Sequence, residues 1–307
     1  MASKDLAIGI IFLFQTTVGF LGNIFFLSHY SVLYFTRCRV RPTDLILKHL
    51  TMANSLVLLS KGVPQTMAAF GSKHFFSDIG CKLVFYVHRV GRGVCIGSTC
   101  LLSIFQAIMI SPMTSRWAEL QLQIPQYIGF SNILCWILNM LVNSFIPVFV
   151  TGNSNNKNKT KKKELGFCSA IVNNHITGSL VTALWLAYDV LCVGFMIWAS
   201  SSMVFILYRH KQRVKHIHST KHSLRSSPET TVTQRILVLV STFVSFYTLS
   251  SLLLIFLSLY DDANEWLANI SALIPACFPT VSPFILMSND LKISGFHSFC
   301  CGRNRAG

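Results

Sequence analysis

Acidic side chains are scarce in this chain. Its 307 residues include 11 Asp and Glu against 26 Lys and Arg, and the four types together make up only 12%. A soluble domain carries about twice that share of charge. Catalytic signatures are also missing: there is no His-Glu-x-x-His, no Gly-x-Ser-x-Gly and no glycine-rich phosphate cradle. The acids are too few and scattered for a proton path. These absences argue against an enzyme, and no metal or cofactor set emerges. A cleavable leader is not evident either. Met1–Asp5 is short and polar, and no small-residue cleavage site follows the first apolar run.

What the chain does have is apolar length. Hydrophobic residues make up 52%, and the mean hydropathy is +0.52. Seven apolar stretches run from end to end, at about 6–35, 45–70, 83–112, 127–150, 177–208, 236–260 and 267–287. About 20 such residues suffice for a helix to cross the hydrocarbon. Lipid admits only helices or closed barrels, and these runs are too long and continuous for barrel strands. The expected fold is an all-α membrane protein, a single seven-transmembrane helix bundle over 1–307 whose last segment, 288–307, is a short cytoplasmic tail. An odd count puts the termini on opposite faces.

Loop charges orient it. Arg37, Arg39 and Arg41 follow the first stretch, Arg209, Lys211, Arg213, Lys215, Lys221 and Arg225 follow the fifth, and Lys292, Arg303 and Arg305 lie in the tail. The positive-inside rule then places the N-terminus outside and the C-terminus in the cytoplasm. Lys157, Lys159, Lys161, Lys162 and Lys163 oppose this in the fourth-to-fifth connection. The short loops near the first helix outweigh them. The net charge of +15 mostly reflects this asymmetry and gives no reason to expect nucleic acid. No internal repeat of the transporter kind is visible. The seventh stretch carries Pro275, Pro279 and Pro283, four apart, which kink one helix face repeatedly; the fifth and sixth contain no proline.

Ten cysteines divide by position. Cys81 opens the third stretch on the outer side and Cys168 lies in the outer loop before the fifth, so a disulfide is the leading reading against two unpaired thiols. Cys95, Cys100, Cys135, Cys192 and Cys277 are mid-membrane and read as small core residues. Cys300 and Cys301 lie beside basic tail residues, where palmitoylation is an open alternative to free thiols. Asn158-Lys159-Thr160 is a glycosylation sequon in the outer lysine-rich loop.

A few charges lie inside the apolar runs. His88, Arg89 and Arg92 share one side of the third stretch by their spacing, and Asp189 follows Tyr188 in the fifth. Arg92 and Asp189 each stand about 11 residues from their outer ends, or ~16 Å deep at ~1.5 Å per residue. Such groups need a partner or water. Two readings stay open: a structural ion pair, or a pocket for an acidic or hydrogen-bond-accepting ligand. Lys61 either lines the same cavity or snorkels. Phe243, Phe246 and Tyr247 recur at helical spacing in the sixth stretch, as core packing or as a pocket floor. The seventh stretch has no lysine, which excludes a retinal Schiff base there.

Several features resemble a seven-helix G-protein-coupled receptor: Gly22-Asn23, Leu50-Thr51-Met52-Ala53-Asn54, the Cys81 and Cys168 positions, and Ser282-Pro283-Phe284-Ile285-Leu286. The rhodopsin-like activation motifs are absent. Ser103-Ile104-Phe105-Gln106-Ala107-Ile108 replaces Asp-Arg-Tyr, the sixth stretch lacks Cys-Trp-x-Pro, and Asn54 stands where that class has a sodium-binding aspartate.

The chain as a whole resembles the type-1 vomeronasal receptors. The resemblance is carried in order by Pro42-Thr43-Asp44-Leu45-Ile46-Leu47, Pro64-Gln65-Thr66-Met67 and His88-Arg89-Val90-Gly91-Arg92-Gly93. It continues in Ile110-Ser111-Pro112-Met113, Ser115-Arg116-Trp117-Ala118-Glu119, Leu207-Tyr208-Arg209-His210-Lys211-Gln212-Arg213-Val214, Arg225-Ser226-Ser227-Pro228-Glu229-Thr230 and Phe278-Pro279-Thr280-Val281-Ser282-Pro283-Phe284. It implies a plasma-membrane pheromone receptor that detects small organic cues and signals through an inhibitory-type heterotrimeric G protein. The expected ligand site comprises His88, Arg89, Arg92, Tyr188, Asp189, Phe246 and Tyr247. Arg116, Arg209, Lys211, Arg213 and Arg235 are expected on the cytoplasmic face, where a G protein or anionic membrane lipid would meet them. The alternative of a different class is a seven-span transporter or channel.

Overall fold

The computed structural model describes residues 3–35, 42–71, 77–111, 115–151, 162–164, 168–171, 175–217, 228–259 and 265–303. Among these, seven long helices follow in order: α1 (Ser3–Phe35), α2 (Pro42–Ala69), α3 (Asp78–Ile110), α4 (Ser115–Val142), α6 (His175–Ile217), α7 (Pro228–Leu259) and α8 (Glu265–Arg303). Between α4 and α6 lie a single turn, α5 (Ile146–Phe149), and three short strands, β1 (Val150–Thr151), β2 (Lys162–Glu164) and β3 (Ser169–Ile171). The strands pair antiparallel in the order β1-β3-β2, with Ala170 of β3 opposite both Val150 and Lys163.

Six of the described helices carry segments long and apolar enough to cross a bilayer: α1, α3, α4, α6, α7 and α8. α2 has the length, at 28 residues, but not the hydropathy. Its polar residues explain this. Leu45, Met52, Leu59, Val63 and Phe70 form an exposed apolar stripe, while Thr51, Asn54, Ser55, Ser60 and Thr66 are buried against neighbouring helices. Averaging over the helix hides a lipid-compatible face beside an inward polar one.

Helix ends differ from the apolar boundaries for a physical reason. Apolarity ends where lipid would end, but helix propensity continues, because Arg, Lys and Gln are good helix formers. Thus α6 runs on through Arg209, Lys211 and Arg213 to Ile217, α4 begins at Ser115 and includes Arg116, and α8 continues through Cys300 and Cys301 to Arg303. The residues expected in cytoplasmic loops therefore stand largely on helical extensions. The side chains of Arg116, Lys211, Arg213, Cys300 and Cys301 lie outside the described residues, as does Asn158. The apolar stretch at 127–150 does not form one helix. It breaks at Asn143–Phe145, where Ser144 donates through Oγ to the Leu141 carbonyl at 2.8 Å and Pro147 enters the next turn. α2 closes on Gly71, whose φ of 90° is a left-handed cap conformation that suits glycine.

α3 is the central helix. It packs on α2, α4, α6 and α7, with a buried face from Val90 to Ala107. Its first turn is capped by Ser77, whose Oγ accepts from the Gly80 amide at 3.3 Å. A disulfide joins Cys81 in that turn to Cys168, Cα to Cα 6.0 Å, and ties the β-strand loop over the end of α3. Ile146, Phe85, Phe145 and Trp185 pack around it.

Buried polar side chains tie the rest of the bundle. Pro283 has no N–H to offer the carbonyl four residues back. That carbonyl, on Pro279, instead accepts from Asn23 Nδ2 of α1 at 2.8 Å. Asn54 donates to Ser282 Oγ at 2.8 Å and accepts from Cys95 Sγ at 3.1 Å, which joins α2, α8 and α3 through neutral groups. At the end of the bundle away from the disulfide, Gln106 of α3 donates to Thr233 Oγ1 of α7 at 3.0 Å.

Candidate ligand site between α3, α6 and α7

The interior charges converge two to three helical turns below the disulfide, at ~3.6 residues per turn. Arg92 of α3 reaches both other helices. Its guanidinium donates to Tyr247 Oη of α7 at 3.0 Å and lies 3.5 Å from Asp189 Oδ2 of α6. Tyr247 in turn donates its hydroxyl to Asp189. One carboxylate, one phenol and one guanidinium thus close a three-helix knot in which each polar group has a partner. The Arg92 and Asp189 side chains are 27% and 17% exposed, so the pair is sheltered without being sealed.

The helical phases bring this about. On α3, His88, Arg89 and Arg92 fall within about one turn of each other on one side. On α6, Trp185, Tyr188, Asp189 and Cys192 follow the spacing of a single inward face. Tyr247 is held flat against Phe243, with rings 5.8 Å apart and inclined by 10°, and Phe243 meets Phe278 of α8 edge-on at 4.8 Å. The α7 aromatics therefore serve both purposes left open by their spacing. Phe243 is core packing, and Tyr247 reaches the charges.

Two cavities flank the knot. The smaller, about 50 Å³, lies toward α7 and α8 and is lined by His88, Arg92, Phe246, Tyr247 and Ser250 among apolar neighbours. The larger, about 170 Å³, lies toward α4 and α6, with Arg89, Arg92, Asn139, Trp185, Tyr188 and Asp189 in its wall. All seven residues singled out in the sequence stand on one or both cavities. His88 Nδ1 lies 3.4 Å from Ser60 Oγ of α2. Tyr188 donates to the Gly93 carbonyl at 3.1 Å and accepts from Asn139 Nδ2 at 3.4 Å.

Arg89 is bound differently. Its guanidinium carbon lies 3.6 Å from the centre of the Trp185 ring, a close cation–π contact. Among the described residues its N–H groups have no hydrogen-bond acceptor, and they border the larger cavity. The chemistry on offer is an unsatisfied, flat array of donors next to aromatic and aliphatic walls. It suits an acceptor oxygen on an otherwise apolar molecule.

Sequence reading did not single out Trp185 or Asn139. A signal was present. Asn132, Asn139 and Asn143 recur in an otherwise apolar segment, and polar residues in such segments turn toward the bundle. All three are buried. Trp185 stands four residues before Asp189, one turn along the same face.

Close approach here depends on two glycines. A Cβ on Gly93 would overlap the Asn139 carboxamide, and one on Gly97 would overlap Cys135 Sγ and crowd the Tyr188 hydroxyl. Gly97→Ala is therefore expected to lower stability by roughly 1–3 kcal/mol, the usual range for overpacking a filled site. Thermal unfolding of purified protein in detergent reads this directly, and an unchanged midpoint would show that α3 and α4 can part at no cost.

Known proteins resemble this chain over almost all of its length. The family model described as "Vomeronasal organ pheromone receptor family" matches residues 6–299. The human protein named vomeronasal type-1 receptor 3 is 60% identical over 305 residues, covering 99% of this chain and 97% of the relative. Human vomeronasal type-1 receptor 1 is 46% identical, covering 98% and 85%. A zebrafish (Danio rerio) protein named olfactory receptor class A-like protein 1 is 29% identical, covering 93% and 90%.

Proposed function

The chain belongs to the vomeronasal organ pheromone receptor family, a family of receptors rather than enzymes, and from that membership we propose that it couples a small organic ligand to an inhibitory-type heterotrimeric G protein at the plasma membrane. The proposed topology has seven spans, with α2 as the second, its N-terminus outside and its C-terminus in the cytoplasm. The apolar stripe on α2 and the cationic helix ends at Arg209 and Arg235 support that topology.

The observation that carries the ligand reading is the Arg92–Tyr247–Asp189 knot between two cavities. His88, Arg89, Arg92, Tyr188, Asp189, Phe246 and Tyr247 form the proposed binding surface. A ligand acceptor that takes a donor from Arg92 weakens the bond to Tyr247 and loosens α7 from α3. The ligand then favours the arrangement in which that bond is broken, and differential affinity shifts the population. The opposite end must respond. There the Gln106–Thr233 bond holds α3 to α7, and its loss would open the end of the bundle where Arg209 is exposed and where Arg116, Lys211, Arg213 and Arg235 are further proposed contacts for a G protein or anionic lipid.

Gln106→Leu should raise ligand-free signalling about fivefold, because a neutral hydrogen bond contributes about 1 kcal/mol. Basal reporter activity at matched surface expression measures this. A basal level equal to wild type would remove this bond from the mechanism.

The receptor reading itself is tested by expressing the full chain with a promiscuous G protein and applying urinary, steroidal and volatile compounds. A dose-dependent response is expected. Silence across all G proteins, with confirmed surface expression, would overturn it. Current or uptake without any G protein would favour the transporter or channel instead.

A further inference from the structure

Toward the disulfide the larger cavity is bordered by aromatic packing, and between α4 and α6 by exposed aliphatic side chains. Its roof is a stack of three flat groups. Phe145 lies on Trp185 with ring centres 5.7 Å apart and planes 28° from parallel, and Arg89 covers Trp185 at 3.6 Å. The buried Cys81–Cys168 disulfide and Ile146 pack onto that stack. A molecule arriving from the disulfide end would have to part these layers.

The flank is built otherwise. α4 and α6 both pack on α3; among the described residues their backbones stay apart, and side chains bridge them, Asn139 donating to Tyr188 at 3.4 Å. The gap between them leads into the cavity. Its rim consists of Leu138 and Val142 on α4 and Leu184 on α6, which are 49%, 36% and 53% exposed. In a bilayer these aliphatic side chains meet acyl chains. Behind this rim stand the Arg89 donors that no described residue accepts, together with Asn139 and Tyr188.

We infer that this gap is a lateral entrance through which lipid-soluble ligands pass from the bilayer into the α3–α4–α6 cavity. The inference rests on the receptor reading above and adds a route and a ligand class. The rim is apolar, so the ligand arrives neutral; a charged molecule would face a steep cost in the hydrocarbon. The cavity limits its size, since a site of about 150 Å³ holds one benzene ring. The Arg89 donors require an acceptor oxygen. A neutral molecule of about one ring, with a carbonyl, ester or hydroxyl group, meets all three conditions. Partition raises its concentration in the membrane above that in water, so even a modest affinity in the cavity suffices.

The test uses the full chain in lipid nanodiscs and a neutral photoreactive probe, a trifluoromethyl-diazirinyl benzyl alcohol. Labelled positions are mapped by peptide mass spectrometry. Saturable labelling is expected at Trp185, Tyr188 and Asn139, competed by excess 4-methylbenzyl alcohol. The Leu138→Trp/Leu184→Trp double variant, which fills the rim at exposed positions, should slow that labelling about tenfold, and labelling of Phe14 and Leu21 on the exposed side of α1 should not change. The Leu138→Trp single variant gives a second reading should the double variant fold poorly. Saturable labelling at the same rate in both variants would overturn the lateral route and leave the pocket standing. Absence of any saturable labelling in folded protein would overturn the route and the pocket together.

Discussion

Asp189→Ala is expected to reduce receptor activity roughly a hundredfold, from the loss of about 3 kcal/mol when a sheltered ion pair is broken from one side. Asp189 is the carboxylate that faces Arg92, with Lys61, His88 and Arg89 nearby on α2 and α3. Removing it leaves Lys61, Arg89 and Arg92 without that carboxylate, with the Tyr247 phenol as Arg92's remaining acceptor. Partial exposure of both side chains puts the figure at the lower end for such pairs. Arg92→Ala should be similarly damaging, because Asp189 would then keep only the Tyr247 hydroxyl. The decisive measurement is the double variant. If the two residues act through each other, its loss is close to that of either single change, with a coupling of about 0.5–3 kcal/mol. Losses that add would separate the residues and dissolve the knot. Ligand potency and thermal stability should be read together, since a structural pair moves both and a ligand contact moves potency more.

The second large effect is expected at the other end of the same region. Cys81→Ser opens a loop closed across 87 residues. Chain-entropy arguments assign about 4–5 kcal/mol to a closure of that size. The unfolding midpoint should fall by roughly 10 °C, on the scaling for large domains. Cys168→Ser should match it, and the double variant should be no worse than either. Surface expression should fall in parallel, because the roof over Trp185 and Phe145 is anchored to this bond. An unchanged midpoint would mean that the aromatic stack holds the loop unaided.

Much of the fold was legible in the sequence because lipid imposes one strong rule. Long apolar runs must be helices, and six of them can be recognised as spans from their length and hydropathy alone. α2 was harder. Its lipid face is a stripe one residue wide, so its polar positions dominate any average. α4, α6 and α8 extend beyond their apolar stretches for the complementary reason, since hydropathy reports the lipid boundary and not the last hydrogen-bonded turn. At the site, Arg92 and Asp189 stood out because charge is costly in hydrocarbon. Trp185 did not, because an aromatic residue in an apolar run looks like packing until its cationic partner is known. The cavities were invisible. They depend on how far apart the α4 and α6 backbones stand where Asn139 and Tyr188 bridge them, and nothing in a one-dimensional pattern specifies that spacing.

The Gln106–Thr233 bond, proposed above as the latch between α3 and α7, carries no charge. A lock made from arginine and a carboxylate slackens when its acid gains a proton. An amide bonded to a hydroxyl has no proton to gain near neutrality, and folded and opened forms bind the same number. With an uncharged latch of this kind, ligand-free signalling is expected to stay level as the pH on that side of the membrane falls.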